Sequence, residues 1–174
     1  MKNLYLKISI ILLLGSIMPL KEDFFARPSL DVARDLLGRR LVRKIGSRTY
    51  TVMITETGAY EGGSREGLSY APGKIYVAIF RGGHATLAIG AEAEGKPSVV
   101  TVRRAYPLEG VSGDLGGSAR LTKALSIDKK LDGKSISGDE LYIEGLSIEP
   151  SRIIQVTPDL ENMAENCLSY FRLR

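Results

Sequence analysis

Residues 48–60 read Arg48-Thr-Tyr-Thr-Val-Met-Ile-Thr55 and then Glu56-Thr-Gly-Ala-Tyr60. The first eight alternate with the period of two of a half-buried strand, and they are rich in β-branched and aromatic side chains. Gly46-Ser47 stands just before them, and Arg39–Ile45 before that is another apolar-polar alternation. The spacing predicts a hairpin of strands 39–45 and 48–57.

Outward from this hairpin, the same reading gives a mixed order of elements. Upstream, Arg27-Pro28-Ser-Leu-Asp-Val-Ala-Arg-Asp-Leu-Leu37-Gly38 reads as a helix, with Pro28 suited to the first turn and Gly38 to a left-handed stop. Leu30, Ala33 and Leu37 share its apolar face, flanked by Val32 and Leu36. Downstream, residues 61–73 read as a glycine-rich loop ending at Pro72-Gly73. Lys74–Phe80 and Ala85–Gly90 form a second hairpin across Arg81-Gly-Gly-His84, and Ser98–Ala105 is a further strand. A helix near Ser118–Ile127 follows Gly116-Gly117, and Leu141–Glu144 and Ile153–Val156 are short strands. Successive hairpins give antiparallel pairs, so the expected fold is α+β: a single domain around a curved, mostly antiparallel sheet with flanking helices.

With 174 residues, the chain has room for one well-packed domain. A lone cysteine, Cys167, excludes an intramolecular disulfide, and a lone histidine, His84, leaves no Cys/His set for zinc. The net charge is +4, unevenly spread: residues 139–174 hold seven acids and three bases, leaving +8 on residues 1–138. A basic body suits a polyanionic partner, although the same charge also serves solubility.

The N-terminus stands apart. Lys2 and Lys7 precede Ile8-Ser-Ile-Ile-Leu-Leu-Leu14, which is followed by Gly15-Ser-Ile-Met18-Pro19. The run resembles a signal peptide without a clear cleavage site, and it is shorter than the roughly 20 residues that span a bilayer. The globular pattern starts right after Met18, so residues 1–17 read best as an extension from a mis-assigned start, packing poorly, ahead of a domain over 18–174.

Five segments in order carry a family resemblance. Phe24-Phe-Ala-Arg-Pro-Ser-Leu-Asp-Val-Ala-Arg-Asp-Leu-Leu-Gly38, Glu56-Thr-Gly-Ala-Tyr60, Pro72-Gly-Lys-Ile-Tyr-Val77, Arg103-Arg-Ala-Tyr-Pro-Leu-Glu-Gly110 and Arg120-Leu-Thr-Lys-Ala-Leu-Ser-Ile-Asp128 with Leu131-Asp-Gly133 resemble the alkyladenine (3-methyladenine) DNA glycosylases. The resemblance implies a single α+β domain that flips a damaged purine out of the duplex, because the N-glycosidic bond is unreachable inside the stack. It implies double-stranded DNA with damaged purines as partner, no metal and no cofactor, and a monomer working in the cytoplasm at the nucleoid rather than on a membrane.

The site residues follow from the same resemblance. The family motif Glu-Thr-Glu-Ala-Tyr has its general base at the second Glu, and here that position is Gly58. The base pocket would be lined by Gly58, Tyr60, Tyr76, Ala78 and Arg103. Ala78 stands where the family has a second stacking tyrosine, Ala88 where it has an asparagine, Ser69 where it has a histidine, and Arg81 where it has the intercalating tyrosine. Arg81, Gly82, Arg104, Arg120 and Lys123 are the DNA-binding candidates, each with a solvated surface role as the plain alternative. His84, on the same hairpin tip as Arg81, reads as solvated.

Glu56 is the remaining catalytic candidate. Positions 56, 58 and 60 face one side of a strand, with i and i+2 about 6–7 Å apart. A general base needs roughly 3 Å or one bridging water. Glu56 therefore has two roles open to it, a base acting through a water or a partner in a structural hydrogen bond or ion pair. Three functional readings stand at this point: a glycosylase of low activity or restricted to labile lesions, a non-catalytic DNA-binding descendant, and a membrane-tethered or secreted interaction domain using residues 8–17.

Overall fold

The computed structural model describes residues 18–61, 71–79, 82–93, 97–156 and 167–174. The N-terminal extension, Ser69, Phe80 and Arg81 lie outside the described residues. In chain order the elements are α1 (Glu22–Phe25), α2 (Ser29–Asp35), β1 (Arg40–Ile45), β2 (Arg48–Glu61), β3 (Ile75–Ile79), β4 (Ala85–Gly90), β5 (Ser98–Glu109), α3 (Ser118–Ala124), β6 (Leu141–Glu144), β7 (Ile153–Val156) and β8 (Cys167–Leu173). Short 3-10 turns lie at Lys129–Leu131 and Pro150–Arg152.

The strands form one curled antiparallel sheet in the order β3-β4-β5-β2-β1-β6, with β8 beside β2 and β7 beside β8. The expected α+β single domain is therefore the fold. At its centre is β2, longer than the hairpin reading allowed: β5 runs along one edge, while β1 takes the first half of the other edge and β8 the second. Both α2 and α3 pack on one sheet face. Val32, Ala33, Leu36, Leu37, Leu121 and Leu125 meet Val52, Ile54, Ala59, Val100 and Val102 there, all fully buried.

Several boundaries move. The first long helix ends at Asp35 rather than Leu37, and Pro28 caps it instead of entering its first turn. Gly38 does adopt a left-handed φ of 79°; a Cβ there would lie 3.0 Å from that of Ile148. The helix near 118 stops at Ala124, where Leu125 takes a non-helical conformation.

Of the register shifts along β2, two adjacent ones in its pairing with β5 shape the site. Ile54 pairs with Ala105 and Glu56 with Arg104, which leaves Thr55 as an extra residue on β2. Thr57 then pairs with Val102, leaving Arg103 extra on β5. An extra residue reverses which face the following side chains occupy. Hence Val52 and Ile54 are core residues before the bulge and Thr57 and Ala59 after it. Thr57 Oγ1 donates to Ala33 O at 2.7 Å, which fixes this face against α2. Glu56, Gly58 and Tyr60 are turned to the opposite face.

Candidate base-binding site

That opposite face carries a row of directly paired residues. Tyr76 lies across from Ala88, Ala88 from Thr101, Thr101 from Gly58, and Gly58 from Tyr170. Three small side chains thus lie between two tyrosines. Neighbouring strands are about 4.8 Å apart, so the small positions span roughly 10 Å. Ala78 is one step further along β3, opposite Thr86.

Glu56, Tyr60 and Arg103 converge beside this row. Because the bulge brings Arg103 and Arg104 to the same partner, Glu56 Oε1 accepts from Arg103 Nε at 2.8 Å and Oε2 pairs with Arg104 Nε at 3.0 Å. The Glu56 side chain is only 13% exposed, whereas Arg103 is 33% and Arg104 57% exposed. Arg103 also donates to Tyr60 Oη at 3.3 Å and lays its guanidinium 3.8 Å from the centre of the Tyr170 ring, a cation–π contact. Tyr60 and Tyr170 meet edge to face with their hydroxyls 3.5 Å apart. Burial, followed by the Tyr170 hydrogen bond, pushes the Tyr60 phenol well above its usual range, so it stays protonated at neutral pH. Burial works against the charge on Arg103, yet the Glu56 hydrogen bond and the two tyrosines hold its pKa above the usual arginine value.

Gly58 sits under this cluster with no room to spare. A Cβ there would lie 2.9 Å from Tyr60 Cε2, 3.0 Å from Thr101 Oγ1 and 3.1 Å from Tyr170 Cδ1. The volume that a carboxylate at position 58 would use is filled by two phenol rings and a hydroxyl. The carboxylate that is present, at Glu56, already accepts from Arg103 and pairs with Arg104. Its arrangement is that of a charge-assisted ion pair, with one arginine at each oxygen.

The remaining candidates are spread along the rim. Arg104 extends past Glu56 to Gly116, where a Cβ would lie 3.5 Å from its Nη1. Arg120 pairs with Asp114 and donates to Gly116 O at 2.8 Å, so Arg104 and Arg120 flank the same glycine. Lys123 is exposed in the last turn of α3. Gly82 and His84 are exposed on the β3–β4 connection, and Gly82 has a left-handed φ of 92°. Tyr76 Oη accepts from Ala71 N–H at 3.0 Å, which ties its ring to the segment before β3.

The family model described as methylpurine-DNA glycosylase (MPG) matches residues 23–158. The chain belongs to this family. Among curated proteins it is 34% identical over 151 residues to one from Anaeromyxobacter sp. (strain Fw109-5), covering 79% of this chain and 78% of that protein. It is 33% identical over 169 residues to one from Desulfitobacterium hafniense (strain Y51), covering 78% and 83%. A third, from Methanocella arvoryzae, is 32% identical over 152 residues, covering 72% and 76%. All three bear the name "Putative 3-methyladenine DNA glycosylase".

In this member of the family, two residues of the site escape a reading of the sequence. Tyr170 lies on β8, which pairs with β7 upstream and with the distant β2; its signal is the alternation of Leu168 and Tyr170 with Ser169 and Phe171. Thr101 enters through its place opposite Gly58, on the face to which the bulges turn both residues. No helix among the described residues is long and apolar enough to cross a membrane.

Proposed function

We propose that this protein is a DNA glycosylase-type repair protein that flips alkylated purines out of the duplex and releases cationic ones, of the 3-methyladenine kind, by hydrolysis of the N-glycosidic bond. The observation that carries this reading is the convergence of Tyr60, Arg103 and Tyr170 over the small-residue row, in a chain of this family. Aromatic faces suit a flipped base, and base–aromatic stacking contributes about 1–3 kcal/mol per base.

The lesion class follows from what Glu56 can and cannot do. Glu56 is tied to Arg103 at 2.8 Å and to Arg104 at 3.0 Å rather than aimed at a free water, and a positioned base contributes about 10²–10⁴ in rate. A purine carrying a positive charge needs least help. As its C1′–N bond breaks, it takes the bonding pair and departs neutral. A water oxygen then bonds to C1′ and its proton passes to solvent. Release of neutral purines, which need protonation as they leave, falls outside this capacity. We assign backbone-phosphate contacts to Arg104 and Arg120, which flank Gly116, with Lys123 further along α3 and Gly82 on the β3–β4 connection.

The filled space over Gly58 favours one second reading: a descendant that holds damaged DNA without cutting it. The deciding experiment incubates the full chain with a methylated duplex, counts abasic sites by alkaline cleavage and follows duplex binding at several salt concentrations. Abasic sites forming faster than in protein-free duplex support the first reading. Salt-sensitive binding with no added abasic sites supports the second, and neither binding nor release overturns both.

A further inference from the structure

Among the described residues the hydroxyl of Thr101 has no hydrogen-bond partner, although the residue is only 8% exposed. It is not turned toward the helices, whose side of β5 is taken by Val100 and Val102. It points into the row, 3.0 Å from where a Gly58 Cβ would stand. On its other side is Ala88, which offers no polar atom in its side chain. The nearby phenols are already engaged, Tyr60 with Tyr170 and Arg103. Buried hydroxyls are nearly always paired, and one left open on the face of a candidate binding site calls for a partner, for which an atom of a bound base would serve.

We propose that Thr101 Oγ1 is the group that reads the polar edge of a purine laid over Ala88 and Gly58, with Tyr170 as one wall of the site. A threonine hydroxyl both donates and accepts, so it can meet either a ring nitrogen or an amino group of the base. The base reaches it when the Tyr60 and Tyr170 rings part. The direct links between those two rings are their edge-to-face contact and a 3.5 Å hydroxyl contact at the long limit of a hydrogen bond. This assignment rests on the glycosylase reading above and names the specificity residue within it.

The test uses the full chain and two duplexes of one sequence, one undamaged and one carrying a single 3-deaza-3-methyladenine, which mimics the lesion without its labile bond. The wild type is expected to prefer the lesion duplex. Thr101→Val removes the hydroxyl and keeps the shape; it should weaken lesion binding roughly 5–10-fold while leaving undamaged-duplex binding and the melting temperature no lower. Thr101→Ser should retain the preference. The assignment falls if Thr101→Val keeps the wild-type preference, if it weakens both duplexes equally, or if Thr101→Ser loses as much as valine. A wild type that binds both duplexes alike instead removes the glycosylase reading itself, and the assignment with it.

Discussion

Arg103 donates from Nε to Glu56 Oε1 at 2.8 Å while its guanidinium lies 3.8 Å from the centre of the Tyr170 ring. One side chain thereby joins the carboxylate of β2 to the aromatic wall supplied by β8. This planar cation occupies a face on which a planar, cationic base would also stack.

Glu56→Gln removes both ion pairs and leaves Arg103 and Arg104 facing each other. Breaking a fully buried pair costs about 3–5 kcal/mol, but both arginines are a third or more exposed and screened by solvent, so the expected loss is about 1–2 kcal/mol. Denaturant melts measure it. In single turnover, release from methylated DNA should fall less than about tenfold; a drop of the order of 10²–10⁴ would return Glu56 to the role of general base.

Gly58→Ala inserts a Cβ against Tyr60, Thr101 and Tyr170 at the 2.9, 3.0 and 3.1 Å separations described. Overpacking of this kind costs about 1–3 kcal/mol. Gly58→Glu should destabilise at least as much and should not raise the release rate, because the carboxylate has no space in which to point. Pairing Gly58→Ala with Tyr170→Ala should recover part of the loss, a coupling that a double-mutant cycle reads directly.

The raised pKa of Tyr60 has a consequence at alkaline pH. Folding favours the neutral phenol, so the group leaves stability unchanged up to its ordinary ionisation near 10. Above that, the unfolded chain sheds the proton first and stability falls as pH rises. Tyr60→Phe should flatten this part of the curve, with melting temperatures from pH 9 to about 12 as the measurement.

Arg104 is the most exposed member of the Glu56 cluster. If it meets a phosphate, Arg104→Ala should weaken binding to damaged and undamaged duplexes alike and lower the slope of log affinity against log salt by about 0.9. Arg120→Ala should also disturb the loop at Asp114–Gly116, so its effect will include a stability component.

Local pattern predicts the β4, β6 and β7 limits as found, because each is short and bounded by turn residues. It misses β8, whose pairing with β2 is formed by residues more than a hundred positions apart. The strict alternation expected through Glu56 also fails in the physical sense: Ile54 and Glu56 share parity in the sequence, yet Thr55 separates their faces. Family resemblance assigns Arg103 to the pocket, but that Arg103 and Arg104 both turn to Glu56 depends on a bulge. The double arginine within a strand is its visible trace. The crowding over Gly58 belongs to three strands at once, so no single segment encodes it.

The extra residues at Thr55 and Arg103 cancel each other. Pairing over Val52–Ile54 and from Thr57 onward has the same register, and between them the Glu56–Arg104 step is displaced. Losing either insertion alone would slide one half of β2 past β5 and turn core side chains outward. Losing both would leave every inward residue inward and simply delete the second arginine. The ion-pair cluster is thus confined to one step of the β2–β5 pairing, and the register of the sheet on either side does not depend on it.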